Sequence, residues 1–118
     1  MNLSRGDVVT AVFPFASGTG AKLRPALVVQ NNTNNRRLTN VIVAAITTTT
    51  HRSGQPTQLL VDIRTAVGKS SGLLHDSVIT CENLATIEQQ RVRHRIGSLP
   101  VDTMQQVDKC LQASLGIS

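Results

Sequence analysis

Three polar side chains stand at the ends of otherwise apolar segments. Arg24 opens the stretch Leu-Arg-Pro-Ala-Leu-Val-Val-Gln-Asn at residues 23–31, Thr47 closes Val-Ile-Val-Ala-Ala-Ile-Thr at 41–47, and Glu82 follows Ser-Val-Ile-Thr-Cys at 77–81. A guanidinium stays charged and offers a planar fork of donors that matches the oxygens of a phosphate. A hydroxyl adds one further donor, and a carboxylate can accept or return a proton. Taken singly each has a plain use: Arg24 could pair with a surface acid, Thr47 is a good strand residue, and Glu82 could simply be solvated. Together, at the rim of a rigid scaffold, they could hold and attack a phosphodiester, with Arg24 facing the phosphate.

Short strands must carry these groups. Arg5-Gly6-Asp7 reads as a turn, followed by a strand over 8–13 that Pro14 ends. Residues 15–22, Phe-Ala-Ser-Gly-Thr-Gly-Ala-Lys, form a loop longer than the ~2–5 residues of an ordinary hairpin, which marks it as a candidate binding loop. Its glycines lack the Gly-Lys-Ser/Thr of a phosphate-binding P-loop, so nucleoside triphosphate binding is excluded. The second strand follows, with Pro25 tolerated only where its missing N–H does no harm. Residues 31–40 form a polar connection with one helical turn. The strand at 41–47 is apolar throughout, so both its faces should be covered. Further strands are expected at 57–63 and 77–81, with Gly68-Lys69-Ser70-Ser71-Gly72 as a loop between them and Glu82 as a terminator. Residues 84–95 mix a strand with a helical turn near 88–92, and a last short strand falls at 96–99.

Pro100 suits the first turn of a helix. Val101, Met104, Val107, Leu111 and Leu115 repeat at three or four residues, giving one apolar stripe, and Gly116 suits the stop. The expected architecture is mainly β: one domain over residues 1–118, a small, strongly bent, mostly antiparallel barrel with a terminal amphipathic helix.

Composition narrows the partners. The net charge is +5, and residues 1–64 hold seven Lys/Arg against two acids while residues 65–118 hold five against five. A basic surplus concentrated in the first half favours a phosphate-bearing partner. No apolar run is long enough for a membrane helix, and the N-terminus lacks the apolar segment of a secretory signal, so a cytoplasmic protein is expected. Cys81 and Cys110 lie in strand and helix patterns without a CxxC or Cys/His cluster, so they read as buried free thiols and neither a metal site nor a cofactor is expected.

The order Gly-Asp-Val, a loop, Arg-Pro-Ala-Leu-Val-Val-Gln-Asn, Val-Ala-Ala-Ile-Thr, Asp-Ser-Val-Ile and a final Met-x-x-Val-Asp-x-x-Leu helix closely resembles the MazF/PemK family, the toxin halves of bacterial toxin–antitoxin pairs, from Arg5 to about Leu115. The resemblance implies an SH3-like barrel of the MazF/CcdB type, acting as a homodimer. It implies a metal-independent endoribonuclease that cuts single-stranded RNA at short sequences, leaving a 2′,3′-cyclic phosphate and a 5′-OH, and a toxin neutralised by an antitoxin expected to be acidic. It implies Arg24, Thr47 and Glu82 as the catalytic residues, the first two at the scissile phosphate and Glu82 at a position where the family carries an acid. Phe15, Ser17, Gly18, Thr19, Lys22, Thr48 and Gln58 are the expected RNA contacts, with His51 and His75 as possible helpers. DNA is not an expected ligand of the toxin alone. Three features depart from relatives: Thr80 stands where some carry an arginine, the loop at 17–21 lacks a glutamate, and Phe13 and Phe15 are the sole aromatics. Base stacking therefore cannot dominate RNA affinity. The alternatives are a CcdB-like gyrase poison, for which Leu115-Gly116-Ile117-Ser118 lacks the required tryptophan, and a barrel that binds RNA without cutting it.

Overall fold

The computed structural model describes residues 1–14, 21–50 and 54–118. The elements are β1 (Asp7–Pro14), β2 (Ala21–Val28), α1 (Asn32–Arg37), β3 (Asn40–Thr47), β4 (Gln58–Val61), α2 (Ala66–Ser71), β5 (Ser77–Glu88), a 3-10 turn (Gln89–Arg91), β6 (Val92–Ser98) and α3 (Val101–Leu115). The strands form one antiparallel sheet in the order β4-β5-β3-β2-β1-β6. The mainly β architecture with a terminal helix is as expected; the two edge strands do not pair with each other, so the strongly bent sheet is a barrel only in a loose sense.

Alternation along the central strands builds two cores. Val8, Leu27, Ala44 and Ile46 point to one face, where they join Ile79, Cys81, Leu99, Met104, Val107 and Cys110. Val9, Ala11, Phe13, Ala26, Val28, Val41 and Val43 point to the other, with Leu3, Ile87 and Val92. Helix α3 covers the first face. The second is covered by the sheet itself, since Val92 on the β6 edge and Ile87 at the end of β5 reach the same cluster. This is why β3 carries no polar alternation: from Val43 to Ile46 both its faces are largely enclosed, while Ile42 nearer its start is exposed. Each fully buried Val, Leu or Ile contributes about 1.5–3 kcal/mol.

Four expectations change. β5 does not stop at Glu82 but runs twelve residues, bent by a bulge. The glycine-rich stretch at 68–72 is not a loop: Thr65 caps α2 by accepting the Gly68 N–H, and Gly72 ends the helix at φ 74°. Gly68 is there for packing, since a Cβ would lie 2.1 Å from the Asp62 carbonyl oxygen. The last strand begins at Val92 rather than 96. On α3 the buried face is Thr103, Met104, Val107 and Cys110, whereas Val101 and Leu115, the two ends of the expected stripe, are exposed.

Two polar ties fix the ends of the frame. Arg5 donates through Nε to the Val29 carbonyl at 2.8 Å and through an NH2 group to Asp108 at 2.6 Å, binding the first turn to the exit of β2 and to α3. Buried Gln30 and Asn35 exchange amide bonds beneath α1. Among the described residues no helix is long and apolar enough to cross a membrane.

Candidate active site

The β2–β3 ladder is short. Its pairs are Val28 with Val43, Leu27 with Ala44 and Ala26 with Ala45, and it stops at Pro25, which has no N–H to donate. β2 continues back to Ala21 paired only to β1, with Arg24 opposite Ala11 and Lys22 opposite Phe13. Arg24 is thus inside a strand rather than at its start, yet it flanks a gap where β3 no longer follows. The gap is a cavity of about 590 Å³ lined by Phe13, Arg24, Pro25, Ala45, Ile46, Thr47, Thr48, Thr49, Asn83, Leu84 and Ala85. Its apolar floor and few convergent polar groups suit a ligand site.

Thr47 is held by its own turn. Its Oγ1 accepts the Thr49 N–H at 3.1 Å, which fixes the hydroxyl oxygen and leaves the O–H to donate elsewhere. Asn83 reaches the cavity because of the β5 bulge. Ala44 pairs with Leu84 and Ala45 with Thr80, so Cys81, Glu82 and Asn83 have no partners on β3. Cys81 turns instead to the residue just before β4, donating its N–H to the Thr57 carbonyl at 2.9 Å.

The structure therefore brings Arg24, Thr47 and Thr48 together and adds Asn83, which no periodicity could single out while Glu82 was read as the end of a strand. Glu82 is not among the residues lining this cavity. It is exposed on the bulge, and its Oε2 accepts the Gln58 amide at 2.5 Å. Thr80, on the same strand, is buried and donates to the Ala45 carbonyl at 2.7 Å. Lys22 is exposed on β2. Phe15, Ser17, Gly18, Thr19 and His51 lie outside the described residues.

The cysteines are buried, as expected for structural thiols. Burial, followed by the neighbouring Cys110, pushes the Cys81 thiol up to about 12, and burial also raises Cys110. Neither supplies a thiolate near neutral pH.

A second, more open cavity of about 760 Å³ adjoins the first through Thr48, which lines both. Its other walls are Thr50, Ile63, Arg64, His75 and Asp76. Arg64 is clamped by Asp62 through Nε at 3.1 Å and an NH2 group at 2.8 Å. That hydrogen bonding holds the Asp62 carboxyl down at about 2 and raises Arg64.

The model for PemK-like, MazF-like toxins of type II toxin–antitoxin systems matches residues 4–115. The chain is 37% identical over 118 residues to the endoribonuclease EndoA of Bacillus subtilis (strain 168), covering 99% of this chain and 97% of that protein. Among solved structures, it is similar to the Mycobacterium tuberculosis toxin MazF-mt6, at TM-score 0.77 and 27% identity over 95% of this chain and 98% of that one. It is also similar to a mycobacterial endoribonuclease solved in complex with its cognate antitoxin, at TM-score 0.74 and 28% identity over 98% and 97%.

Proposed function

Because the chain belongs to the family of PemK-like, MazF-like toxins of type II toxin–antitoxin systems, we propose that it is a toxin endoribonuclease cutting single-stranded RNA in the cleft between Arg24 and Thr47. The observation that carries this reading is that one cavity is lined by both residues. RNA supplies its own nucleophile. The 2′-oxygen bonds to the adjacent phosphorus, the bond to the 5′-oxygen breaks, and the proton lost from the 2′-OH ends on that leaving oxygen. The products are a 2′,3′-cyclic phosphate and a 5′-OH, and DNA, lacking the 2′-OH, is not cut.

The protein must align this attack and stabilise the charge that builds on the phosphoryl oxygens. Arg24 offers two parallel donors to those oxygens. Thr47, its oxygen pinned by Thr49, aims its O–H at the same group. Thr48 and Lys22 follow the backbone, and the loop that contains Phe15, Ser17, Gly18 and Thr19 contacts flanking nucleotides. Glu82 acts from beside the cavity as a positioning residue, holding Gln58 where it meets the substrate.

The test is incubation with an unstructured RNA in EDTA, with mapping of the ends. Cleavage leaving 5′-OH ends is expected, reduced by Arg24→Ala at least ~100-fold. Thr47→Ser should retain most activity and Thr47→Val should lose it. Equal cleavage by Arg24→Ala, or no cleavage by the parent protein, overturns the reading, and poisoning of DNA gyrase without RNA cleavage would put the CcdB-like alternative in its place.

The cleft carries Arg24 in its wall with Lys22 exposed on the same strand, in the half of the chain that holds the basic surplus, so a cytoplasmic antitoxin with an acidic segment that orders on binding is its natural cover. The saturated complex should cut no RNA. The active form is a homodimer, to be checked by light scattering at micromolar concentration.

A further inference from the structure

The second cavity adds a reading element to the cleavage cleft. Thr48 is common to both, so a strand whose phosphate sits between Arg24 and Thr47 places a neighbouring nucleotide against Thr50, Arg64, His75 and Asp76. Charge decides which part of that nucleotide enters. The positive charge of Arg64 is already matched by its two-point bond to Asp62, and Asp76 adds a carboxylate. Among the described residues the cavity holds no surplus of positive charge, which suits a base better than a phosphate.

Asp76 is built to read one. Its Oδ1 accepts the Ile63 N–H at 3.0 Å, which fixes the carboxylate, and its other oxygen has no partner among the described residues. A carboxylate only accepts, so it favours an exocyclic amine and repels a carbonyl oxygen. Beside it stand donors: the outer N–H groups of Arg64, the His75 ring and the Thr50 hydroxyl. An acceptor next to a donor is the complement of an amine next to a ring nitrogen. Adenine and cytosine present that edge directly and guanine offers its 2-amino group beside N1–H and N3, whereas uracil has no amine and presents only carbonyls on either side of N3–H.

We propose that the cavity around Asp76 is a base-reading subsite selecting a base with an exocyclic amine over uracil at one position beside the cut, with Asp76 as the specificity-determining residue. The inference rests on the endoribonuclease reading and deepens it.

The cut ends from a random RNA pool should be sequenced for the parent and for Asp76→Asn, whose side-chain oxygen can still accept the Ile63 N–H. The parent is expected to exclude U at one position within two nucleotides of the cut. Asp76→Asn should admit U there, with the rest of the motif kept. A second arm needs no variant: with the parent protein, purine riboside or 2-pyrimidinone riboside, which lack the amine, should be cut roughly ten- to hundredfold more slowly at that position. A parent motif without such a position, an unchanged motif for Asp76→Asn, or amine-deleted RNA cut at the full rate overturns the inference while leaving the endoribonuclease standing. A parent that cuts no RNA removes both.

Discussion

Arg24 and Thr47 occupy the positions that would extend the β2–β3 ladder past its last pair, Ala26 with Ala45: two residues back along β2 and two forward along β3. They face each other across a gap that would otherwise be sheet. Pro25 keeps the gap open, because it can neither donate to β3 nor let β2 follow the strand beyond it. Pro25→Val restores a donor on a strongly β-forming residue. The expected outcome is slower amide exchange near residues 45–47, unchanged or higher stability, and a fall in kcat/KM of about 10- to 100-fold as the two groups are drawn out of place. Full activity in a variant with a lengthened ladder would falsify the role given to Pro25.

Gln58 and Glu82 test a different link. Their bond joins β4 to the β5 bulge on the exposed side of the sheet, beside the cavity and not within its lining. If Glu82 acts by placing Gln58, then Glu82→Gln and Gln58→Ala should each raise KM several-fold. They should leave the pH profile of kcat in place, and the double variant should be no worse than the worse single one. A general base would behave otherwise: Glu82→Gln would cost at least ~100-fold in kcat and remove the acidic limb. Michaelis profiles from pH 5 to 9 separate the two.

Two glycines in the same left-handed conformation should respond unequally. Gly116 ends α3 at φ 70° with nothing near a Cβ, so Gly116→Ala costs the conformational penalty alone, about 1 kcal/mol. Gly72 ends α2 at φ 74°, and a Cβ there would lie 1.9 Å from the Ile96 carbonyl oxygen on β6. Gly72→Ala must also push α2 off β6 and should cost ~3 kcal/mol or more. Urea unfolding of the two variants gives the comparison.

The strands that carry Arg24 and Thr47 were legible because their signal is local: β-branched runs, a proline and a change to polar residues mark each one. The site's third wall was not legible. Cys81, Glu82 and Asn83 interrupt no apolar pattern that a bulge would betray, and an acid after five apolar or small residues reads as the end of a strand. Only the pairing of Ala44 with Leu84 and Ala45 with Thr80 shows that three residues are looped out. Helix α2 was hidden for a related reason. Gly68-Lys69-Ser70-Ser71-Gly72 reads as a loop from its composition, whereas it is the absence of a side chain at Gly68 that the contact with Asp62 and Ile63 requires. Such non-local demands leave no period in the sequence.

Cys81 offers a check on the first core. Its thiol is pushed from an ordinary 9.0 up to about 12, first by burial, then by Cys110 and Glu82. Below pH 9 both folded and unfolded chains keep the proton, and stability is untouched. Between pH 9 and 12 the unfolded chain releases it and the native chain does not, so unfolding is favoured progressively as pH rises. Stability measured from pH 8 to 10.5 should fall more steeply for the parent than for Cys81→Ala, even though that variant starts lower by ~1 kcal/mol from lost packing. Native Cys81 should also resist iodoacetamide at pH 7.5 and react quickly in denaturant, since the thiolate is the nucleophile. Parallel curves, or rapid alkylation of the native protein, would mean that water reaches the thiol and that α3 does not seal this face of the sheet.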